Sequence, residues 1–205
     1  MSTTESLPQA PPERPMRADA RRNYEKVLAA ARAAFAEGGE ATSLEEIARR
    51  AGVGIGTLYR HFPNRQALVE ALYREEVRDV CRTAAELDGA DPWLALELWF
   101  DRLMAYMAAK QALVHELSNN LQPDATLFKD CRASLFTAGE PLLRRAQEAG
   151  VVRRDVDIGQ VIQLVIAIAK APAGEPGQNE QLVRIALDGL RYRPSGEDDS
   201  GPQAR

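Results

Sequence analysis

Apolar residues recur at helical spacing through most of this chain, and no stretch alternates apolar and polar positions for long enough to make a strand. Ala20, Tyr24, Val27, Leu28, Ala31, Ala34 and Phe35 mark one face of a first helix, which Gly38-Gly39 close. Leu44, Ile47, Ala48 and Ala51 then keep the i, i+3, i+4, i+7 order of a short second helix. Ser43, with Glu46 three residues on, fits a capping box at its start, and Gly52 supplies its end. Val53 to Gly56 read as a turn and the start of a third helix, which must stop by Phe62 because Pro63 disfavours a helical residue before it. Leu58, Phe62 and Val53 pack inward.

Larger elements follow. A fourth helix is predicted over 64–87, with Asn64 as its cap and Val69, Tyr73, Val77, Val80, Ala84 and Leu87 on one stripe. Leu68 and Leu72 face another way, which suits a lever touching two bodies. After the break at 88–92, Pro92 opens a fifth helix to about Ala109 carrying Trp93, Leu96, Phe100, Leu103 and Met107, with Trp99, Met104 and Tyr106 on its other sides. Such a helix belongs at the centre of a core. A short helix near Gln111 to Ser118, a loop at 119–124, and a helix over 125–149 kinked or split at Pro141 come next. Two last helices, 157–170 and 179–192, flank the turn 171–177; Ile158, Val161, Ile162, Val165 and Ile168 mark one apolar face, and Leu182, Ile185, Ala186 and Leu190 the other. The expected fold is all-α, with about nine helices: a three-helix head and a larger helical body.

Composition changes this picture little. A chain of 205 residues with 45% hydrophobic residues can build a core. No run of 18 apolar residues occurs and the N-terminus lacks an apolar signal segment, so a cytoplasmic protein without a membrane partner is expected. Cys81 and Cys131, fifty positions apart, suggest neither a disulfide framework nor zinc. Residues 1–16, with Pro8, Pro11, Pro12 and Pro15, and residues 194–205 read as disordered tails.

Charge is more informative once divided along the chain. The formal net charge is −4, yet from Arg14 to Arg65 there are ten Lys or Arg against six Asp or Glu, and beyond Arg65 there are 16 against 22. The basic part coincides with the two short helices. Two helices joined by a glycine turn are a helix-turn-helix candidate, so double-stranded DNA is the first partner to consider. Ile55, Gly56, Thr57, Tyr59, Arg60 and His61 are left over by the inward anchors. Gly56 costs the helix roughly 1 kcal/mol relative to alanine, which close approach of its backbone to a phosphate would justify. Thr57, Tyr59 and His61 can bond phosphate oxygens; Ile55 and Thr57 can meet a thymine methyl, and Arg60 can contact guanine. Thr42, Ser43, Gly54 and Arg65 complete the DNA-facing set, and Arg14, Arg17, Arg21 and Arg22 form a basic arm beside it.

Ile47-Ala48, Ala51-Gly52-Val53, Gly56-Thr57-Leu58-Tyr59 and His61-Phe62, followed by Arg65 and Leu68, resemble the DNA-binding domain of the TetR family of bacterial transcriptional regulators. One departure is Gly54, where the family often has a capping serine. The resemblance implies a head over 17–63 and a ligand-sensing and dimerisation domain over 64–193, with 64–87 as the connecting helix. It implies a bacterial, nucleoid-associated homodimer that binds a palindromic operator, most simply as a repressor, and is released by a small-molecule inducer. It places dimer contacts at Ile158, Val161, Ile162, Val165, Leu182, Ile185, Ala186 and Leu190. A ligand pocket is expected among Trp93, Leu96, Phe100, Leu103, Met107, His115, Phe128, Leu135 and Phe136, though such a stripe alone also describes a plain core. Asp91-Pro92-Trp93, Trp99, Lys110, Leu142 to Gln147 and Ala149 to Asp157 are similar to one group of these regulators with a shared C-terminal ligand domain.

An enzyme is the alternative from another class. The two histidines and two cysteines are scattered, no nucleophile elbow occurs, and neither Gly54 nor Gly56 lies in a strand-to-helix phosphate loop. No catalytic residue, cofactor or metal site is therefore expected.

Overall fold

The computed structural model describes residues 15–38, 42–120, 125–171 and 178–191; at 15–17, 38, 108, 111–120, 125 and 179–180 only the backbone is described. Eight helices run through the described residues: α1 (Pro15–Gly38), α2 (Leu44–Ala51), α3 (Ile55–His61), α4 (Arg65–Glu86), α5 (Pro92–Asn120), α6 (Ala125–Glu148), α7 (Ile158–Ala169) and α8 (Gln178–Leu190). No strand is present among the described residues, only an isolated bridge between Val152 and Arg191. The chain divides between Leu68 and Val69, inside α4, which is continuous through the division. No described helix is long and apolar enough to cross a membrane.

The head forms because three helices each bury one stripe. Val27, Leu28, Ala31, Ala34 and Phe35 of α1 are buried, as are Ile47, Ala48 and Ala51 of α2 and Leu58 of α3. Ser43 is extended (φ −82°, ψ 159°) and its hydroxyl accepts from the Glu46 amide at 3.1 Å. The capping box is half made, because the Glu46 carboxylate turns forward to Arg49 and Arg50 at 2.7–2.8 Å. These two guanidiniums, Arg49 first, hold the Glu46 carboxyl down at about 2. Gly52 adopts φ 65°, and its N–H closes α2; a Cβ would be strained there. Gly54 is extended and starts α3 with backbone carbonyl bonds alone, from Thr57 N–H at 2.9 Å and Leu58 N–H at 3.1 Å.

In the body, α5 packs on α6 and α7, and α7 on α8. Ala95, Leu96, Trp99, Phe100, Leu103, Tyr106 and Met107 of α5 are buried, several with no exposure at all, so α5 is central. Trp99 donates its indole N–H to the Val80 carbonyl at 3.3 Å, and buried Glu76 of α4 meets Arg102 of α5 at 3.1 Å. The expected separate helix at Gln111–Ser118 is instead the C-terminal part of α5, since Met107-Ala-Ala-Lys-Gln-Ala-Leu113 holds strong helix formers and no breaker. Likewise, α6 continues through Pro141: the proline is exposed, and Thr137, whose carbonyl loses its partner, is exposed too. Asn64 caps α4 as expected, accepting from Ala67 N–H at 2.8 Å.

Caps and clamps between the helices were not evident in the sequence. Asp91 accepts from the Trp93 and Leu94 amides at 3.1 and 3.0 Å. Asp157 and Gln160 form a full capping box for α7. Arg145 of α6 donates to the Leu87 and Ala90 carbonyls at 3.0 Å each, and also to the Asp88 carbonyl, fastening the α4–α5 turn. Of the tail expected at 1–16, Pro15 and Met16 are helical, since proline suits a first turn, and of the loop expected at 119–124, Asn119 and Asn120 end α5. Residues 1–14 with Arg14 of the basic arm, 121–124, 172–177 of the turn expected at 171–177, and the tail from 194 lie outside the described residues, and of Arg17 only the backbone is described.

Gly139→Ala is expected to destabilise the body by about 1–3 kcal/mol through overpacking, because its Cβ would come within 2.8 Å of Ile158 Cδ1 and 2.9 Å of Trp99 Cζ2; denaturant unfolding measures this. Glu46 stays ionised well below the ordinary carboxyl value of 4.5, so its contribution is present above that value and lost as pH falls towards 2. A carboxyl-resolved NMR titration checks the midpoint, and substituting Arg49 and Arg50 with Gln returns it to the usual range.

Candidate nucleic-acid interface and ligand cavity

The third helix is held by very little. Within α3 only Leu58 is buried, and Phe62 follows it at the C-cap. Ile55 is 39% and Tyr59 42% exposed, and Gly54, Gly56 and Arg60 are exposed as well. A Cβ on Gly56 would meet nothing within 4 Å, so among the described residues no packing inside the head requires glycine there. Thr57 is half-buried.

Other expected contact residues divide between outward and inward positions. Ser43 is exposed, but its hydroxyl is engaged in the α2 cap. Thr42 is turned inward: it is buried, and its hydroxyl donates to the Ala34 carbonyl at 3.1 Å. Its own carbonyl accepts from the Arg65 guanidinium, which also lies over the Phe35 ring at 4.8 Å. Thr42 and Arg65 thus join the ends of α1 and α4 to the start of α2, because a guanidinium near an apolar ring and an orphan carbonyl is better placed there than in solvent. His61 packs edge-on against Tyr24 of α1, with ring centroids 5.9 Å apart, and remains half-buried.

Many of the head's cations are neutralised locally. Arg21 pairs with Glu25, Arg22 with Asp19, and Arg49 and Arg50 with Glu46, Arg50 also reaching Glu37. Among the described residues Arg60 and Lys26 carry no acidic partner, and Arg60 sits on the exposed side of α3.

The body holds several concavities, of which some are lined by described residues. One of about 670 Å³ lies between α4 and α6 around Val77, Cys81, Leu127 and Cys131, and one of about 660 Å³ between α5 and α8 around Leu94, Leu98, Val183 and Leu187. Another, about 390 Å³, is lined by Leu103, Met107, Phe128 and Leu135, all expected at a pocket. Leu96 and Phe100 are instead packed solid in the core. Trp93 lies under the Arg191 guanidinium at 4.2 Å, and Phe136 under that of Arg132 at 5.2 Å. The His115 side chain is outside the described residues.

Sequence reasoning missed the rest of that wall: Tyr73, Tyr106, Lys110, Arg132, Ile162 and Ile166. They come from four helices, and no spacing within one helix would have gathered them. The Tyr106 hydroxyl donates to that of Tyr73 at 3.0 Å, and burial pushes both phenols' pKa values up. Lys110 Nζ lies 5.6 and 5.9 Å from the two tyrosine ring centroids. Burial lowers its pKa, and the charges of Lys170 and Arg132 lower it further.

The residues expected at dimer contacts differ in exposure within the single chain. Ile158, Val161, Ile162 and Val165 are buried in the protomer's own core, as is Leu190, because α7 packs on three neighbours at once and spends that stripe there. Leu182 and Ala186 are half-buried. Ile185 is 60% exposed, and Leu164, Leu94 and Leu98 are exposed as well.

Two family profiles match the chain: bacterial regulatory proteins of the TetR family over residues 27–72, and the C-terminal domain of SbtR-like transcriptional regulators over residues 91–192. The chain is 32% identical over 147 residues to the transcriptional repressor KstR of Mycobacterium tuberculosis, a match spanning 65% of this chain and 64% of that one. A TetR transcription regulatory protein from Mycobacterium vanbaalenii has a similar structure, with 37% identity and a TM-score of 0.72 over 87% of this chain and 100% of the other. A TetR transcriptional regulator from Streptomyces coelicolor gives 35% identity and a TM-score of 0.71 over 84% and 99%. The two profiles fall on the head and on the body, and with these neighbours they establish that the chain belongs to the TetR family of transcriptional regulators.

Proposed function

We propose that the protein is a ligand-responsive repressor that binds a palindromic DNA operator as a homodimer in the bacterial cytoplasm and is released by a small molecule. The observation carrying this reading is the one-sided burial of α3: Leu58 and Phe62 fix it, while Gly54, Ile55, Gly56, Tyr59 and Arg60 remain uncovered. The repressor KstR is similar over 65% of this chain, which favours repression over activation.

In this reading α3 enters the major groove. Ile55 and Thr57 meet base edges or thymine methyls, Arg60 reaches guanine, and Tyr59 and His61 bond phosphates. Thr42 and Arg65 support the head from within. Two copies place two such helices about 34 Å apart, one turn of the duplex. The exposed apolar groups Leu164 and Ile185 on α7 and α8 join the copies. A ligand in the 390 Å³ cavity acts by favouring one body arrangement over another, since only differential affinity shifts an equilibrium. The unbroken α4 carries that difference to the head.

Gel retardation of the DNA upstream of the protein's own gene, at modest salt, tests the central claim. Retardation is expected, and failure both there and in enriching a symmetric site from random oligonucleotides overturns it. Gly56→Ala is expected to leave the fold equally stable, or up to about 1 kcal/mol more stable, while reducing DNA affinity. Tyr59→Phe is expected to cost about 0.5–1.5 kcal/mol on every operator alike; a changed base preference would contradict a phosphate role. Light scattering at micromolar concentration is expected to give twice the chain mass, and Ile185→Glu to shift it towards one chain without loss of helicity.

A further inference from the structure

The 390 Å³ cavity has a chemical bias that its apolar lining hides. Its volume falls in the range of roughly 300–1,000 Å³ typical of small-molecule sites. Leu103, Met107, Phe128, Leu135, Ile162 and Ile166 offer it no polar atom, so its polarity comes from Tyr73, Tyr106, Lys110 and Arg132. Lysine and arginine only donate. The two phenols share a single hydrogen bond, which uses one of their two protons and leaves the other without an acceptor among the described residues. Both tyrosines are nearly fully buried. No carboxylate pairs with Lys110 or Arg132 among the described residues; Lys110 is compensated only by the two tyrosine ring faces, and Arg132 by that of Phe136.

Resting on the ligand-responsive reading above, we propose that this cavity takes an organic anion: an aromatic or aliphatic body seated among the apolar side chains, with a carboxylate received by Lys110 and Arg132. A buried donor without an acceptor, and a desolvated cation without an anion, are both costly, and a carboxylate relieves both at once. A neutral amide of the same shape can accept from those donors but leaves their charge uncompensated, and a cationic guest adds to the repulsion between Lys110, Arg132 and Lys170. The depressed basicity of Lys110 has the same origin: burial first, then the positive charge of Lys170 and Arg132, opposed by the Cys131 thiol and by no carboxylate. Binding of an anion reverses that depression. The two cations also divide the work by depth: Arg132 is exposed at the rim and Lys110 is half-buried over the tyrosine pair.

Calorimetry on the full-length protein with matched probes tests this. Decanoate and 4-phenylbutyrate are compared with decanamide, 4-phenylbutyramide and decylammonium. The carboxylates are expected to bind at least about tenfold tighter than the amides, with decylammonium weakest. Lys110→Met and Arg132→Gln are each expected to reduce the carboxylate preference, and the double variant to erase it, with amide binding and helicity retained. Equal affinity for acids and amides, a preference surviving the double variant, or no binding by any probe overturns the proposal. Retardation of upstream DNA by the unliganded protein is scored separately. If it persists without an anion preference, only the anion site falls; if it is absent while carboxylates bind, the regulator reading falls instead.

Discussion

The head depends on the attachment of a helix too short to be stable alone. Seven residues make about two turns, well below the roughly 12–15 needed for an isolated helix to persist in water. Leu58 and Phe62 therefore supply order to α3 from one side. That economy leaves Gly54, Ile55, Gly56, Tyr59 and Arg60 uncovered. The supports behind it are correspondingly redundant: the left-handed Gly52 ends α2, Tyr24 meets His61 edge-on and Phe62 at a tilt, and Arg65 ties the start of α4 to Thr42.

What could be read in the sequence follows from the range of the interactions involved. Gly52 as a helix end, Asn64 as a cap, and the inward set Leu58 and Phe62 are local matters, set by backbone sterics and spacing within one helix, and they stand as expected. Thr42 and Arg65 went the other way because their partners, Ala34 and Phe35, lie on a different helix. In the body the same limit applies more severely. A stripe such as Ile158, Val161, Ile162 and Val165 says that something covers it; only the packing of α7 on its neighbours says that the cover comes from within the chain. Of the nine expected pocket residues, Leu96 and Phe100 are solid core, and Trp93 and Phe136 lie under arginines, for this reason.

Head and body use buried polarity in opposite ways. In the head the buried Thr42 hydroxyl is answered by a carbonyl, and even the exposed Arg49 and Arg50 by a carboxylate. In the body the same holds for Trp99 and for Glu76 with Arg102. Around the 390 Å³ cavity it does not, and donors there outnumber acceptors. Apart from the buried Trp93 indole N–H, which finds no partner among the described residues, the described interior is satisfied, so the excess of donors is a property of the site.

The grip of Arg145 on the corner between α4 and α5 has a mechanical corollary. One planar guanidinium holds the Leu87, Asp88 and Ala90 carbonyls, so this end of α6 cannot slide past the corner without surrendering several bonds together. The corner is then a pivot, and any swing of α4 within the body must grow with distance from it, being smallest at Glu86 and largest towards Val69.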